Sequence, residues 1–269
     1  MNATVTFKRW SLAAAGLMVV LPTMALAQDK GDDPCRRHHS DRPSHCEVRD
    51  TTVPNPGTDL SVDATPNGGI TVRGWNRQDM QVRAIVVTQA DSEGDAVALG
   101  RQVQVFTDGG RVRTDGPSHE RGRSWSVSFE VMVPSHSNLD LRSTNGGLSL
   151  SDVAGNLELR TTNGGIRLAR VGGRVRGNTT NGGIKAELDG TTWNGEGMDI
   201  ETHNGGVDLR LPDNYSAHLE ADTSNGGVSI DFPITMQGEL TRKISTDIGS
   251  GGPTIRVRTT NGGVRIGRR

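Results

Sequence analysis

Apolar and charged residues alternate along much of the second half of the chain. After Gly165, Ile166 and Leu168 enclose Arg167, and the alternation returns at Val175, which has a basic residue on each side. Alternation of this kind predicts a β-strand with one buried and one solvent-exposed face. The apolar runs are short and are bounded by glycine. The pattern therefore predicts an all-β structure made of short strands.

Asn-Gly-Gly followed by Ile, Val or Leu occurs seven times, with steps of 18, 18, 23, 21 and 36 residues from Asn145 onward. A period near 20 residues indicates one small unit stacked on itself, and a β-α-β unit would need about 30. We predict two strands and two turns per repeat, with Asn-Gly turning the chain because it accepts positive φ at low cost. Gly172-Gly173 marks an opposite corner. The Asn-Gly-Gly corners begin at Asn67, Asn145, Asn163, Asn181, Asn204, Asn225 and Asn261.

Two chain paths fit this repeat. A parallel β-solenoid, or β-helix-like stack, places every corner in one column, where side-chain amides form a ladder. An antiparallel meander also places the turns along one edge, with Asn-Gly as a hairpin turn. We favour the solenoid for residues 136–269, because inward residues are small or β-branched and threonine recurs at one position, as at Thr161, Thr179 and Thr259.

Residues 48–135 lack the regular repeat and contain longer alternating runs. In the clearest run, Trp125, Phe129 and Val133 share one face with two further valines. A short helix is predicted at 92–99. We expect an antiparallel sheet that covers one end of the stack, since an open end exposes unpaired backbone groups. The predicted strands are 59–64, 70–75, 80–87, 103–106, 111–113 and 125–133.

Residues 1–27 have the features of a secretory signal peptide. Lys8 and Arg9 precede about ten apolar residues, and an Ala-Leu-Ala sequence ending at Ala27 offers a cleavage site. The apolar run is too short to span a membrane, and Gln28 in place of cysteine argues against a lipid anchor at that site. No later segment resembles a transmembrane helix. We therefore expect an exported protein of the periplasm, the cell surface or the medium.

The segment 28–47 contains both cysteines, Cys35 and Cys46. In an oxidising compartment, the favoured interpretation is a local disulfide that closes a small loop. Three histidines lie in the same loop, so a Cys₂His₂ metal site is the alternative, although the spacing matches no established zinc pattern. These histidines are His38, His39 and His45.

The alternating strand at 125–133, the Cys-Glu-Val-Arg run at 46–49 and the recurrent Thr-Thr-Asn-Gly-Gly-Ile phrase resemble a bacterial family of proposed adhesins built from β-strand repeats. The resemblance covers about residues 46–269 and is carried by the repetition of the phrase. It implies a β-solenoid-like fold in an exported bacterial protein. It supplies no catalytic residues.

The sequence contains no recognised catalytic motif. A Gly-x-Ser-x-Gly turn, a His-Glu-x-x-His zinc motif, a phosphate-binding loop and the calcium-binding repeat of β-rolls are all missing. Many β-helices are polysaccharide lyases or hydrolases, which use paired carboxylates. The candidate pairs, Glu187 with Asp189 and Asp199 with Glu201, have the spacing that any solvent-exposed strand face produces. We predict a non-enzymatic chain with no cofactor and no metal.

Charge is unevenly distributed along the chain, although the formal net charge of −1 gives no reason to expect nucleic-acid binding. Six bases and no acid occupy 160–185, ten acids and one base occupy 187–231, and seven bases and two acids follow from 237. If the repeats stack in chain order, these segments become basic, acidic and basic bands. Such bands either bind a charged partner or neutralise one another between neighbouring repeats.

We predict an exported binding protein for an anionic envelope glycan or a protein partner. The alternatives are a polysaccharide-active β-helix enzyme and a structural or sensory partner of another envelope protein. An inserted loop at 190–197 carries a tryptophan that either contacts a ligand or folds back over the apolar interior. The candidate binding residues are Arg167, Arg170, Arg174, Arg176 and Trp193.

Overall fold

The structure is a computed structural model that describes residues 34–37, 41–54, 56–232 and 242–269. Within these residues the chain forms two ten-stranded β-sheets, A and B, together with one short α-helix and one 3-10 turn. The prediction of an all-β chain is confirmed.

Both sheets extend along the stack of repeats, and consecutive strands in the spatial order of each sheet are hydrogen-bonded to each other. Sheet A contains, in spatial order, β1 (Ser44–Val53), β4 (Met80–Gln89), β7 (Ser124–Pro134), β3 (Ile70–Trp75), β9 (Leu148–Ser151), β11 (Ile166–Ala169), β13 (Ile184–Glu187), β15 (Val207–Leu211), β20 (Val264–Arg268) and β17 (Val228–Ile230). Sheet B contains, in the same way, β18 (Lys243–Ile248), β16 (Ala217–Asn225), β19 (Thr254–Asn261), β14 (Gly197–Asn204), β12 (Gly172–Asn181), β10 (Ala154–Asn163), β8 (Asn138–Asn145), β2 (Asp59–Asp63), β6 (Arg111–Asp115) and β5 (Gln104–Asp108).

Each repeat forms one rung, which consists of a strand in sheet B, an Asn-Gly-Gly corner and a strand in sheet A. Neighbouring rungs pair in parallel and in register, so Asn163 of β10 lies beside Asn181 of β12 and Asn145 of β8. Buried and exposed positions alternate along the strands, and the buried side chains, such as Leu157 and Leu159, pack between the sheets. The repeats therefore follow the parallel path and not the antiparallel meander.

The rungs do not stack in chain order. The last rung, β19 with β20, lies between the rung of β14 and β15 and the rung of β16 and β17. Its Arg256 is consequently close to acids on both sides, 2.5 Å from Glu220 and 3.6 Å from Asp199. The separate C-terminal basic band expected from chain order does not form, because the bases of the last rung lie between the two neighbouring acidic rungs.

The corner asparagines form one continuous ladder of side-chain hydrogen bonds. From Asn145 onward, each Nδ2 atom donates to the Oδ1 atom of the preceding rung at 2.8 Å. A second column of hydrogen bonds lies inside the ladder. In each of these, a buried hydroxyl donates to the carbonyl oxygen of the first corner glycine of an adjacent rung, as Thr179 does to Gly164 at 2.7 Å. The spatial order of the ladder is Asn67, Asn145, Asn163, Asn181, Asn204, Asn261 and Asn225.

The first corner glycine is required by the close approach of neighbouring rungs. A Cβ atom on Gly164 would lie 2.1 Å from the carbonyl oxygen of Gly146, and one on Gly182 would lie 2.2 Å from that of Gly164. None of these three glycines has a φ between +20° and +160°. The prediction that positive φ turns the chain at Asn-Gly is therefore wrong at these three rungs, whereas Gly68 and Gly262 at the same corner position have φ of 153° and 155°. At the opposite corner, Gly173 does have a positive φ, of 90°.

Residues 48–135 combine an antiparallel cap with the first rung of the stack. β1, β4 and β7 pair antiparallel in sheet A, and β5 and β6 form an antiparallel pair in sheet B. β2 and β3, joined through the Asn67 corner, instead pair in parallel with β8 and β9. The helix α1 (Glu93–Gly100) begins after Ser92, whose hydroxyl accepts from the backbone N–H of Asp95. It packs against β1 and β4.

Cys35 and Cys46 form the predicted disulfide. His38 and His39 lie outside the described residues, as does the predicted signal peptide, whereas Nε2 of His45 is 3.7 Å from the carboxylate of Glu47. A search of the described part of the chain finds no helix with the length and apolar character that crossing a bilayer would require.

Candidate binding groove

A groove of about 890 Å³ runs across the strands on the outer face of sheet A, beside the Asn-Gly-Gly corners. We call it the corner groove. Its floor is built from the exposed second glycine of successive corners. Because glycine has no side chain, the backbone of each rung is open to a ligand at this point. These glycines are Gly147, Gly165, Gly183, Gly206, Gly263 and Gly227.

The charged wall of the groove comes from one position of the repeat, the fourth residue after each corner asparagine. Alternate residues of a strand point to the same face, and the rungs pair in register, so these side chains form one column. Arg167 lies beside Lys185, Lys185 beside Asp208 and Asp208 beside Arg265. Arg210 lines the groove as well, and a serine closes the column at each end.

Four of the five charged side chains that line the groove are basic. Lys185 is 3.4 Å from Glu187, Nε of Arg210 is 2.8 Å from Oδ1 of Asp208, and Arg265 is 3.5 Å from Asp231. Arg167 is exposed, and among the residues that the structure describes no carboxylate lies within 4.0 Å of its guanidinium. The groove therefore carries a positive surplus, with Arg167 as the cation most available to a ligand.

The dimensions of the groove suit an extended ligand. Neighbouring strands are about 4.8 Å apart, so six rungs span roughly 24 Å. A polymer lying across the rungs would meet the glycine floor and the charged column at every step. Arginine and lysine bind carboxylate, sulfate and phosphate groups through charge-assisted hydrogen bonds. The arrangement can therefore hold a linear anionic chain.

Comparison with known proteins gives the family of this chain. The model of the Toastrack DUF4097 family matches residues 50–267. The chain belongs to this family. No curated protein matches it.

Several solved structures resemble this Toastrack DUF4097 chain. A proposed cell adhesion protein from Clostridium sporogenes is 16% identical, with 84% of this chain and 100% of that one covered and a TM-score of 0.46. A proposed adhesin from Bacteroides fragilis is 13% identical, with 84% and 97% covered and a TM-score of 0.41. A proposed lipid binding protein from Parabacteroides distasonis is 8% identical, with 82% and 96% covered and a TM-score of 0.28. Likenesses of this degree carry no argument about ligands.

The four arginines predicted as binding residues do not form one cluster in this Toastrack DUF4097 chain. Arg167 lies in the corner groove on sheet A, whereas Arg174 and Arg176 lie in β12 of sheet B. Arg170 lies at the second corner, where it and Asp152 both have positive φ, of 51° and 62°. Its guanidinium donates to both carboxylate oxygens of Asp152, at 2.6 and 2.8 Å. These hydrogen bonds raise the pKa of Arg170 and lower that of Asp152.

Trp193 is not a surface contact residue. Only 4% of its surface is exposed, and it packs against the apolar interior between the sheets. Its indole N–H donates to the carbonyl of Gly173 at 2.9 Å. The tryptophan of the inserted loop therefore covers the core and lies outside the candidate site.

The predicted carboxylate pairs are bound by cations. Nη2 of Arg258 is 2.9 Å from Oε2 of Glu201. It is also 3.1 Å from Oδ1 of Asp199, a charge contact outside hydrogen-bond geometry. In the other pair, Asp189 is 3.3 Å from Arg269. The basic side chains of the inserted last rung thus occupy the surface that a glycan-cleaving carboxylate pair would need.

The sequence contains a pattern that predicts the charged column of the corner groove, but grouping the residues into charge bands hides this pattern. Aligning the repeats on their corner asparagines puts Arg167, Lys185, Asp208 and Arg265 at one position. The charge bands instead placed Arg167 in one group with the bases that follow it in sequence. Alternate residues of a strand point to opposite faces, and strands of different sheets lie on different surfaces, so bases that are close in sequence need not share a site. Lys185, Arg210 and Arg265 were missed as site residues for that reason.

Proposed function

We propose that this Toastrack DUF4097 chain is an exported envelope protein, a solenoid-like scaffold whose corner groove binds a linear anionic glycan. The observation that carries this proposal is the groove itself, with its glycine floor and its column of mostly basic side chains. The disulfide between Cys35 and Cys46 supports an oxidising compartment outside the cytoplasm. The signal-peptide pattern of residues 1–27 supports the same placement.

A glycan suits the groove better than a compact ligand does. The groove is long, open and crossed by regularly spaced rungs, so it offers the same contacts repeatedly along one direction. A chain with one acidic group per unit can place each carboxylate or phosphate near a different basic side chain. The glycine floor leaves room for hydroxyl-rich units to lie close to the backbone, although the carbonyl oxygens of these glycines already accept from neighbouring rungs.

We further propose that the groove binds without cleaving its ligand. Its one lining carboxylate, Asp208, is held by Arg210 at 2.8 Å. Glycoside cleavage uses two carboxyl groups that flank the scissile bond, and the corner groove offers a single one among its described lining residues.

The test is a binding measurement with alginate, a linear polyuronate, and with lipopolysaccharide, each at low and at high salt. We expect salt-sensitive binding of at least one of them to the purified protein, since exposed charges are screened by salt. In the variant R167S/K185S, the dissociation constant should rise about tenfold or more, which corresponds to about 1.4 kcal/mol.

A matched control removes the same charge from sheet B. The variant R174S/R176S should bind within about twofold of the wild type, because neither arginine lines the corner groove. Equal losses in the two double variants would show that only net charge matters, and absence of binding to both polymers at low salt would refute the proposal. Release of new reducing ends in the same samples would favour a polysaccharide-active enzyme.

A further inference from the structure

Three side chains at the edge of sheet B form a hydrogen-bonded chain. Nδ1 of His218 is 2.7 Å from Oδ1 of Asp247, and Nε2 of the same ring is 3.2 Å from Oγ of Ser245. Asp247 and Ser245 are exposed, and a third of the His218 side chain is accessible. The imidazole therefore lies between the carboxylate, which is bound to Nδ1, and the hydroxyl, which is bound to Nε2.

The antiparallel pairing of β16 with β18 creates this arrangement. His218 lies opposite Asp247, and Glu220 lies opposite Ser245. Because alternate residues of a strand share a face, these four side chains form a square on the outer surface. Ser245 reaches His218 across the diagonal of the square. The three groups thus stand on two hydrogen-bonded strands, which hold them in place better than a loop would.

We propose that Ser245, His218 and Asp247 form a hydrolytic site for a short carboxylic ester that carries a negative charge. With Nδ1 protonated, His218 donates to Asp247, and its Nε2 is left to accept the proton of Ser245. This is the geometry in which an oriented imidazole activates a serine hydroxyl as a nucleophile. Such a geometry is defined by the roles of the three groups and does not require a fixed order or spacing in the sequence. No sequence motif therefore revealed this site.

A cavity of about 330 Å³ beside Ser245 supplies the charge preference. Its lining includes Ser245, the basic residues Lys243, Arg256 and Arg258, and the acidic residues Glu220 and Asp222. Arg256 is bound to Glu220 through Nε and Oε2 at 2.5 Å, and this hydrogen bond lowers the pKa of Glu220. The cavity is small, so it suits a short acyl group, and its three bases against two acids leave a positive surplus for a substrate with a nearby carboxylate or phosphate.

The reaction is ordinary acyl transfer with water as the final acceptor. Oγ of Ser245 attacks the ester carbonyl carbon while its proton passes to Nε2 of His218. The bond to the alcohol oxygen then breaks, and the alcohol leaves with that proton. Water next attacks the acyl-serine, gives a proton to Nε2 and releases the acid. The serine oxygen regains its proton from His218, so no oxidant, metal or cofactor is consumed.

The test uses the purified full-length protein and two readouts. A fluorophosphonate should label the protein once, and mass spectrometry should place the adduct on Ser245. The acetate ester of 3-hydroxy-4-nitrobenzoate, which is anionic and chromogenic, should be cleaved with a higher kcat/KM than neutral 4-nitrophenyl acetate. In S245A and H218Q, kcat/KM for the anionic ester should fall about 100-fold or more.

The matched control is S250A, which removes an exposed serine from the turn that follows β18. It should keep both the adduct and the activity, and D247N should lower activity while retaining the fold. No adduct on the wild type, an adduct at another residue, or full activity in S245A would each overturn the proposal. S245A should still bind anionic glycan in the corner groove, so this outcome is independent of the proposed function.

Discussion

The side-chain Nδ2 of Asn261 donates to Oδ1 of Asn204 at 2.8 Å, so the last rung of the chain rests on a rung that begins 57 residues earlier. Asn225, although it precedes Asn261 in the chain, lies on the other side of it at the same distance. Every corner offers the same amide donor and acceptor, so the ladder alone does not select one order of rungs. On the outer face of sheet B, this order places the basic strand β19 between two acidic strands, an arrangement that opposite-charge pairing favours.

The first prediction concerns this charge alternation. Arg258 lies in register between Glu201 and Asp222. We expect Arg258→Glu to lower the free energy of unfolding by about 1–2 kcal/mol, because it places three carboxylates side by side. Urea unfolding followed by circular dichroism measures the change. Arg167→Glu is the matched control: its neighbours are a serine and Lys185, so little destabilisation is expected. Equal stability of R258E and the wild type would contradict the role of charge in rung order.

The second prediction concerns the asparagine ladder. Asn181 donates to Asn163 and accepts from Asn204, whereas Asn225 at the end of the ladder makes one ladder bond, to Asn261. At about 1 kcal/mol per hydrogen bond, Asn181→Ala should cost roughly twice as much unfolding free energy as Asn225→Ala. Chemical denaturation of both variants decides this. If the terminal substitution costs as much as the internal one, the ladder does not contribute pair by pair.

The third prediction concerns the close approach of rungs. Gly164→Ala should destabilise the protein by about 3 kcal/mol or more, because the new Cβ would lie 2.1 Å from the carbonyl oxygen of Gly146. Gly227→Ala is the matched control, since a Cβ there has no described atom within 4 Å. Its effect should be within about 0.5 kcal/mol. Thermal melting of the two variants should separate them clearly, and similar melting temperatures would argue against the packing explanation.

The fourth prediction is a pH dependence at the second corner. The hydrogen bonds from Arg170 lower the pKa of Asp152 in the folded state below its ordinary value of about 3.9. A carboxyl group whose pKa is lowered by folding stabilises the folded protein at pH values above its unfolded-state pKa. This stabilisation is lost as the pH falls through the folded-state pKa. Asp152→Asn removes this contribution while tolerating the positive φ. The wild type should therefore be more stable than D152N at pH 7, with the difference shrinking as the pH falls below about 3.9 and through the lowered pKa of Asp152. A difference that stays constant over this range would show that Asp152 is not coupled to Arg170.

Local patterns predicted the strands well. The alternating run of Trp125 to Val133 is β7, and the helix expected at 92–99 is present with Ser92 as its N-cap. The corner asparagines stack as an amide ladder. These predictions were correct because each feature depends on residues that are close in sequence. The fate of Trp193 did not follow from sequence, since an inserted loop can point outward or back over the core with equal local ease.

Period, alternation and corner residues determined that this chain would form short strands, stacked in register, with a column of asparagines at one edge. Only the tertiary structure decided which rung lies beside which. The physical reason is that all rungs share one backbone geometry, so any two can stack, and the choice falls to charges on strands far apart in sequence. The order of the rungs also decides which charged side chains are neighbours in the corner groove, such as Asp208 and Arg265. The tertiary structure likewise brings Ser245 to His218, because β18 closes on β16 and not on a strand nearer its own place in the chain.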